Sequence, residues 1–331
     1  MKKLVNDPSD YVDEMLEGMV AAYPDRVRRL DGTKVLVRSD APVDGKVGVV
    51  SGGGSGHEPT HAGYIGDGML DGAAAGEVFT SPTADELNEM VRACDAGEGV
   101  LCVVKNYEGD VMNFDTAAEM AEMEDVEVAQ VVVNDDVAVE DSLYTSGRRG
   151  VCGTILVHKA VGAKAADSGS LEEVQAVGEK VIDNVRTMGM ALTSCITPEK
   201  GEETFDLGED EIELGIGIHG EPGTERTEMM TADEVAEHLT ENVLADLDPD
   251  DGDDVVSIVN GMGGTPLSEL FIVNRKVQQI LDDRGLETWD AWVGDYMTSL
   301  DMMGCSVTVC RVDDELKELL GAAVDTPALK R

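Results

Sequence analysis

Lys46-Val47-Gly48-Val49-Val50-Ser51-Gly52-Gly53-Gly54-Ser55-Gly56-His57-Glu58-Pro59 is where the chain changes character most sharply. Lys46 to Val50 is a short β-branched run that reads as a buried strand. The glycines that follow lack Cβ atoms and tolerate positive φ, so the pattern predicts a tight loop whose N–H groups a small ligand can approach. That loop delivers His57 at a strand end. A glycine-rich turn with a histidine merely packed beside it has the same sequence, so the stretch alone leaves both readings open. A second histidine in a similar setting favours function: Ile212 to Ile218 reads as a strand delivering His219 into Gly220-Glu221-Pro222-Gly223.

Outward from the loop, elements of the two periods alternate. Asp7-Pro8-Ser9-Asp10 caps an amphipathic helix with Val12, Met15, Leu16, Met19 and Val20 on its apolar face, stopped by Pro24. Val35 to Val37 reads as a strand. Gly63, Gly66, Gly68, Gly72 and Gly76 predict an irregular segment up to Ser81-Pro82-Thr83-Ala84-Asp85-Glu86, which opens a helix through Leu87, Met90 and Val91. Val100 to Val104 is continuously apolar, as a strand buried on both faces should be, and it runs into Lys105-Asn106-Tyr107-Glu108-Gly109-Asp110. A helix through Ala117, Met120 and Met123 leads to a strand at Val126 to Val133. Apolar helices follow after Arg148-Arg149-Gly150 and from Leu171 to Met188. The fold class is therefore α/β: two α/β domains with mostly parallel or mixed sheets, residues 1–190 carrying the glycine loop and 191–331 carrying His219. In the second domain a helix starts at Thr231, strands lie at Val255 to Val259, near Trp289 and at Val307 to Val312, and a long helix runs through Leu270 and Ile280. Ligands of open α/β sheets bind beyond the carboxyl ends of the strands, so the site is expected in loops there.

The net charge of −43, from 68 acidic against 25 basic residues in 331, excludes nucleic acid and anionic membrane as partners. The acids run from Asp7 to Asp325 with one dense patch at Asp246 to Asp254, so no tail explains them. Adaptation of the whole surface to a salty cytoplasm does, because salt screens the self-repulsion. No run approaches the ~20 apolar residues of a membrane helix, and no signal core follows Met1, so a cytoplasmic location is expected. Six cysteines in apolar runs, without a CxxC pair, read as buried hydrophobes in a reducing compartment.

Two motif matches fail on context. No Gly-Lys-Ser/Thr closes the loop at Gly52, so it is no P-loop. Gly215, Gly217 and Gly220 satisfy G-x-G-x-x-G, but Glu221-Pro222-Gly223 turns the chain where a dinucleotide fingerprint needs a helix. His57 and His61 lack the internal glutamate of H-E-x-x-H, so no metal site is expected and His61 is read as supporting its neighbours. His158 is expected as a satisfied core residue and His238 as an exposed one. The remaining candidates are His57, His219, Asp110 and Lys105. Imidazole can act as base, acid, ligand or nucleophile. Asp110 fits either a helix N-cap or a proton acceptor, and Lys105 either a solvated strand end or a ligand contact.

Several longer motifs carry a resemblance: Gly52 to Pro59, Gly63 to Leu70, Phe79-Thr80-Ser81-Pro82, Lys105-Asn106-Tyr107, Gly109 to Phe114, Gly147-Arg148-Arg149-Gly150, Gly217 to Gly223 and Asn260 to Thr265. In order and over essentially the whole chain, they resemble the substrate-binding K subunit of dihydroxyacetone kinases. The resemblance implies that His219 adds to the ketone carbon of dihydroxyacetone as a covalent hemiaminal. It implies that Asp110 takes the proton of the attacking terminal hydroxyl and that His57 hydrogen-bonds nearby. Gly54, Ser55, Gly56 and Lys105 are the further substrate contacts it implies. It also implies a homodimer with no cofactor of its own, in which a partner L subunit holds ADP and magnesium and is recharged by an M subunit of the phosphoenolpyruvate phosphotransferase system. The fused ATP-binding domain of other members is not expected, since the chain ends at Arg331. Two alternatives share these motifs: a kinase subunit for another small ketose such as erythrulose, and a non-catalytic sensor that captures dihydroxyacetone and co-activates a transcription regulator.

Overall fold

A computed structural model describes residues 2–139 and 145–331. Its first sheet contains β1 (Val27–Arg29), β2 (Val35–Arg38), β3 (Gly48–Ser55), β4 (Gly72–Val78), β5 (Val100–Lys105) and β6 (Val128–Val133), in the order β1-β2-β4-β3-β5-β6. The β4-β3-β5-β6 portion is parallel, and β1 and β2 join it antiparallel. The second sheet contains β7 (Val185–Ala191), β8 (Glu211–Leu214), β9 (Glu225–Glu228), β10 (Asp254–Gly261), β11 (Glu287–Gly294) and β12 (Gly304–Arg311), ordered β11-β10-β12-β7-β8-β9. Only β10 and β11 pair in parallel there.

The two sheets share a layer of helices. α1 (Tyr11–Ala22), α4 (Thr154–Ala166), α5 (Leu171–Asn184) and α8 (Asp314–Gly321) contribute to one core that includes Leu101 and Val103 of the first sheet and Val256, Ile258 and Cys310 of the second. α2 (Ala84–Cys94) and α3 (Glu108–Glu122) cover the outer face of the first sheet, and α6 (Ala232–Leu247) and α7 (Leu267–Asp283) that of the second. α4 is buried on nearly every side, as its apolar sequence without a polar stripe requires. Capping boxes begin three helices, Thr83 with Glu86, Ser170 with Glu173 and Thr231 with Glu234, so each start is fixed by reciprocal side-chain bonds to otherwise unpaired N–H groups.

Four expectations are corrected. The glycines at 52–54 form the end of β3, not a loop, and pair with Ala74, Ala75 and Gly76 of β4. β4 itself crosses the segment expected to be irregular. The strand expected through Ile218 stops at Leu214, because Gly215 takes φ +70° and leads the chain out of the sheet. Asp110 is not a helix N-cap: Tyr107 occupies that position, and Asp110 lies buried in the first turn of α3. All six cysteines are buried and free. Among the described residues no helix is long and apolar enough to cross a membrane.

Candidate active-site cleft

β3, β5 and α3 meet where the parallel strands end, and the loop after β8 closes over them. The glycines of β3 are required by proximity, not by turn geometry. A Cβ on Gly53 would overlap the Lys105 ammonium, and one on Gly54 would lie 2.6 Å from the Thr80 nitrogen. The strand is thereby a wall of bare backbone. On one side is a cleft of about 530 Å³ lined by Gly54, Phe79, Ser81, Tyr107, Asp110 and His219. On the other is a cavity of about 320 Å³ lined by Gly53, Gly54, Ser55, Met15, Met19 and Pro59 among others.

His219 stands among aromatic rings. Its ring centroid lies 4.3 Å from that of Tyr107, 4.7 Å from His57 and 5.6 Å from Phe79, each in an edge-on arrangement. Burial pushes its imidazole down to about 3, and the charges of Lys105 and Arg149 act in the same direction. The ring is therefore neutral near pH 7. Its Nδ1 is buried without a hydrogen-bond partner.

His57 lies behind His219 and does not line the cleft. Its Nδ1 is 2.9 Å from the Thr298 carbonyl oxygen. A carbonyl only accepts, so Nδ1 carries the hydrogen and Nε2 keeps a lone pair, buried and unpartnered. Burial, reinforced by His219 and Lys105, holds this imidazole well below its ordinary pKa.

Lys105 is completely buried at the end of β5, neither a solvated strand end nor a lining residue of the cleft. Its ammonium has three acceptors: Asp110 Oδ2 at 3.3 Å, His61 Nε2 at 3.0 Å and the Gly52 carbonyl at 3.4 Å. The relay continues through His61 Nδ1 to Ser51 Oγ at 3.1 Å, whose hydroxyl donates to the Val103 carbonyl at 2.6 Å. Each hydrogen in the relay has one destination, which assigns His61 its Nδ1–H tautomer and leaves its Nε2 to accept from the lysine. Asp110 is thus fixed by a charge-assisted contact from inside the fold while its carboxylate lines the cleft.

Of the residues singled out from sequence, Gly54, Asp110 and His219 line the cleft, with His57 and Lys105 immediately behind them. Ser55 turns away, donating its hydroxyl to the Gly76 carbonyl at 2.7 Å, and Gly56 packs against Phe79 and Leu300. His158 is buried as expected, but neither ring nitrogen has a hydrogen-bond partner. His238 on α6 is half-buried, not exposed. Sequence reasoning gave no individual role to Phe79, Tyr107, Arg149 or Glu221, although all four lie in quoted motifs, and Thr298 carried no signal at all.

Fold and cleft together define an α/β chain that holds a neutral histidine and a carboxylate toward a small-molecule site. A Dak1 domain model matches residues 17–328, and the chain belongs to the Dak1 family. It is 52% identical over 329 residues to the dihydroxyacetone-binding subunit DhaK of PTS-dependent dihydroxyacetone kinase 1 from Listeria innocua, covering 99% of this chain and 100% of that protein. The native dihydroxyacetone kinase of C. freundii superposes with a TM-score of 0.90 at 33% identity, covering 98% of this chain and 60% of that one. The dihydroxyacetone kinase operon co-activator Dha-DhaQ gives a TM-score of 0.89 at 35% identity, covering 95% and 96%.

Proposed function

We propose that this chain is the dihydroxyacetone-binding subunit of a phosphoenolpyruvate-dependent dihydroxyacetone kinase. The observation that carries the reading is a neutral, half-buried His219 lining the same cleft as the Asp110 carboxylate, in a chain 52% identical to the dihydroxyacetone-binding subunit of a PTS-dependent dihydroxyacetone kinase. A neutral imidazole is nucleophilic, whereas an imidazolium is not.

The ketone carbon enters beside His219. The Nε2 lone pair forms the C–N bond, the carbonyl π electrons move to oxygen, and the ring's Nδ1 proton is lost as the oxygen gains one. The product is a neutral hemiaminal. Glycerol offers no carbonyl and is refused by chemistry, not shape. Asp110 accepts the proton of the terminal hydroxyl as that oxygen attacks phosphorus, with Lys105 holding the carboxylate in place. His57, with its Nε2 lone pair turned inward, assists by hydrogen bonding. The partner L subunit supplies the phosphoryl group on nucleotide with magnesium, and an M subunit recharges it. The K subunit acts as a homodimer in the cytoplasm of a salt-adapted cell.

The test is native mass spectrometry and crystallography of the protein with dihydroxyacetone, followed by phosphorylation with a cognate donor subunit. An adduct at His219 and formation of dihydroxyacetone phosphate support the reading. Capture without product supports instead a sensing role, for which the likeness to the co-activator is the supporting observation. No adduct on folded protein overturns the covalent step.

A further inference from the structure

The largest fully buried side chain outside the cleft is a cation, and its bonds lead to His219. Arg149 is 1% exposed. Its Nε donates to Asp136 Oδ2 at 2.7 Å, Nη2 donates to the Gly215 carbonyl at 2.8 Å, and Nη1 donates to Glu221 Oε1 at 3.0 Å. The other oxygen of Glu221 accepts the backbone N–H of His219 at 2.9 Å.

The two ends of this network differ in rigidity. Asp136 follows β6 and is fixed at both ends: its N–H donates to the Arg149 carbonyl at 3.1 Å, and its Oδ1 accepts from Ala138 N–H at 2.9 Å. Neighbouring Asp135 accepts the N–H groups of Val151 and Gly153 at 2.8 and 2.7 Å, pinning the backbone on the other side of Arg149. The segment carrying His219, by contrast, leaves β8 through Gly215 at φ +70° and bends again at Gly220 at φ +69°. Two such glycines give it freedom that its own backbone does not remove. Gly217 leaves space for the guanidinium, since a Cβ there would lie 2.7 Å from Nη1 and overlap Glu221. The Arg149 fork thus ties the start of the segment at Gly215 and the residue two beyond His219 to Asp136, where the chain leaving β6 bridges to Thr187 of β7.

We infer that Arg149 is a positioning residue for ketone capture: through Glu221 and the Gly215 carbonyl it sets where His219 stands relative to the first sheet's half of the cleft. The inference rests on the reading of His219 as the covalent anchor. Bond formation at a carbonyl demands a defined approach, and a misplacement of about 1 Å costs on the order of 10²-fold. Lysine cannot replace the fork, because a point charge does not bridge two carboxylates and a carbonyl in one plane.

The test titrates full-length protein with dihydroxyacetone labelled with ¹³C at C2 and follows the ketone signal as it becomes tetrahedral, with urea unfolding measured alongside. Wild type shows a saturable tetrahedral signal. Arg149→Lys needs a concentration about 10- to 100-fold higher for half-saturation, and Arg149→Met more still. Glu221→Gln keeps an acceptor for the His219 N–H but loses the ion pair, and needs a concentration about fivefold higher, an order-of-magnitude figure for one weakened charge-assisted bond. A purely structural arginine would shift the urea midpoint yet leave half-saturation of the folded fraction unchanged, and that result in Arg149→Lys overturns the inference. Should Arg149→Lys not fold, unchanged half-saturation in Glu221→Gln does the same. Absence of a tetrahedral signal in wild type overturns the covalent reading itself, which separates the two failures.

Discussion

His57 Nδ1 and the carbonyl oxygen of Thr298 stand 2.9 Å apart across 241 residues of sequence. The bond sets the imidazole tautomer from the far half of the chain. It leaves Nε2 as an acceptor in a ring whose centroid lies 4.7 Å from that of His219, so the second sheet's loops decide the protonation pattern of a residue delivered by the first.

Replacing His57 tests that relationship. His57→Asn retains a donor near the Nδ1 position, so the bond to Thr298 and the fold persist, while the Nε2 lone pair is lost. Phosphorylation with the donor subunit is expected to fall by about 10²-fold, the lower end for a lost acid–base group. Circular dichroism should match wild type; wild-type turnover would remove His57 from the mechanism.

The bare wall of β3 makes an opposite pair of predictions for the same chemical change. Gly53→Ala forces a methyl against the Lys105 ammonium and His61, and should cost about 1–3 kcal/mol with loss of activity. Gly18→Ala, in the middle of α1 with no atom within 4 Å of the new Cβ, should stabilise by about 0.5–1 kcal/mol. Urea midpoints decide both, and equal midpoints for the two variants would mean that the glycines of β3 are not required by packing.

Those glycines also show how far the sequence was legible. Alternation of apolar runs with helix starts revealed two α/β halves, and the long motifs picked out His57, Asp110 and His219. The segment Gly72-Ala73-Ala74-Ala75-Gly76 did not read as a strand, since alanine and glycine have little intrinsic preference for one. It is a strand because β2 and β3 pair with it on either side, and at Gly72 Met90 and Cys94 of α2 leave no room for a side chain. Likewise, Asp110 reads as either a cap or a proton acceptor by local grammar, and only the fold shows Tyr107 at the cap and the buried Lys105 behind the carboxylate. Thr298 acts through a carbonyl, a group every residue carries, so its part was invisible until the halves came together.

Stability should fall on mild acidification. Burial pushes His158 and His219 each down to about 3, against an unfolded value near 6.5. Below about pH 6.5 the unfolded chain binds protons that the native state refuses, so each contributes a loss of about 1.4 kcal/mol per pH unit until pH 3 is approached. His57 and His61, also held well below their ordinary values by burial, act with the same sign. Urea midpoints at pH 7.5, 6.5 and 5.5 should decline, steepening below 6.5; a midpoint that rises toward acid would contradict the buried neutral assignments. Ketone capture by folded protein should stay flat over that range, because His219 remains neutral throughout.

The net charge of −43 predicts dependence on salt. Raising potassium chloride from about 0.01 M to 1 M shortens the Debye length from about 30 to 3 Å, screening repulsion among exposed carboxylates. The melting temperature should climb over that range. A protein equally stable in dilute buffer would not need the high-salt cytoplasm proposed for it.

The helical layer shared by the two sheets bears on how such a protein comes apart. Since α4 packs in a core drawing Leu101 from one sheet and Ile258 from the other, the molecule has no seam along which its halves can separate without baring apolar surface. A fragment ending at Asn184 would leave one side of that layer uncovered. The sheets behind the cleft therefore behave as one body, and losing either half means losing the whole.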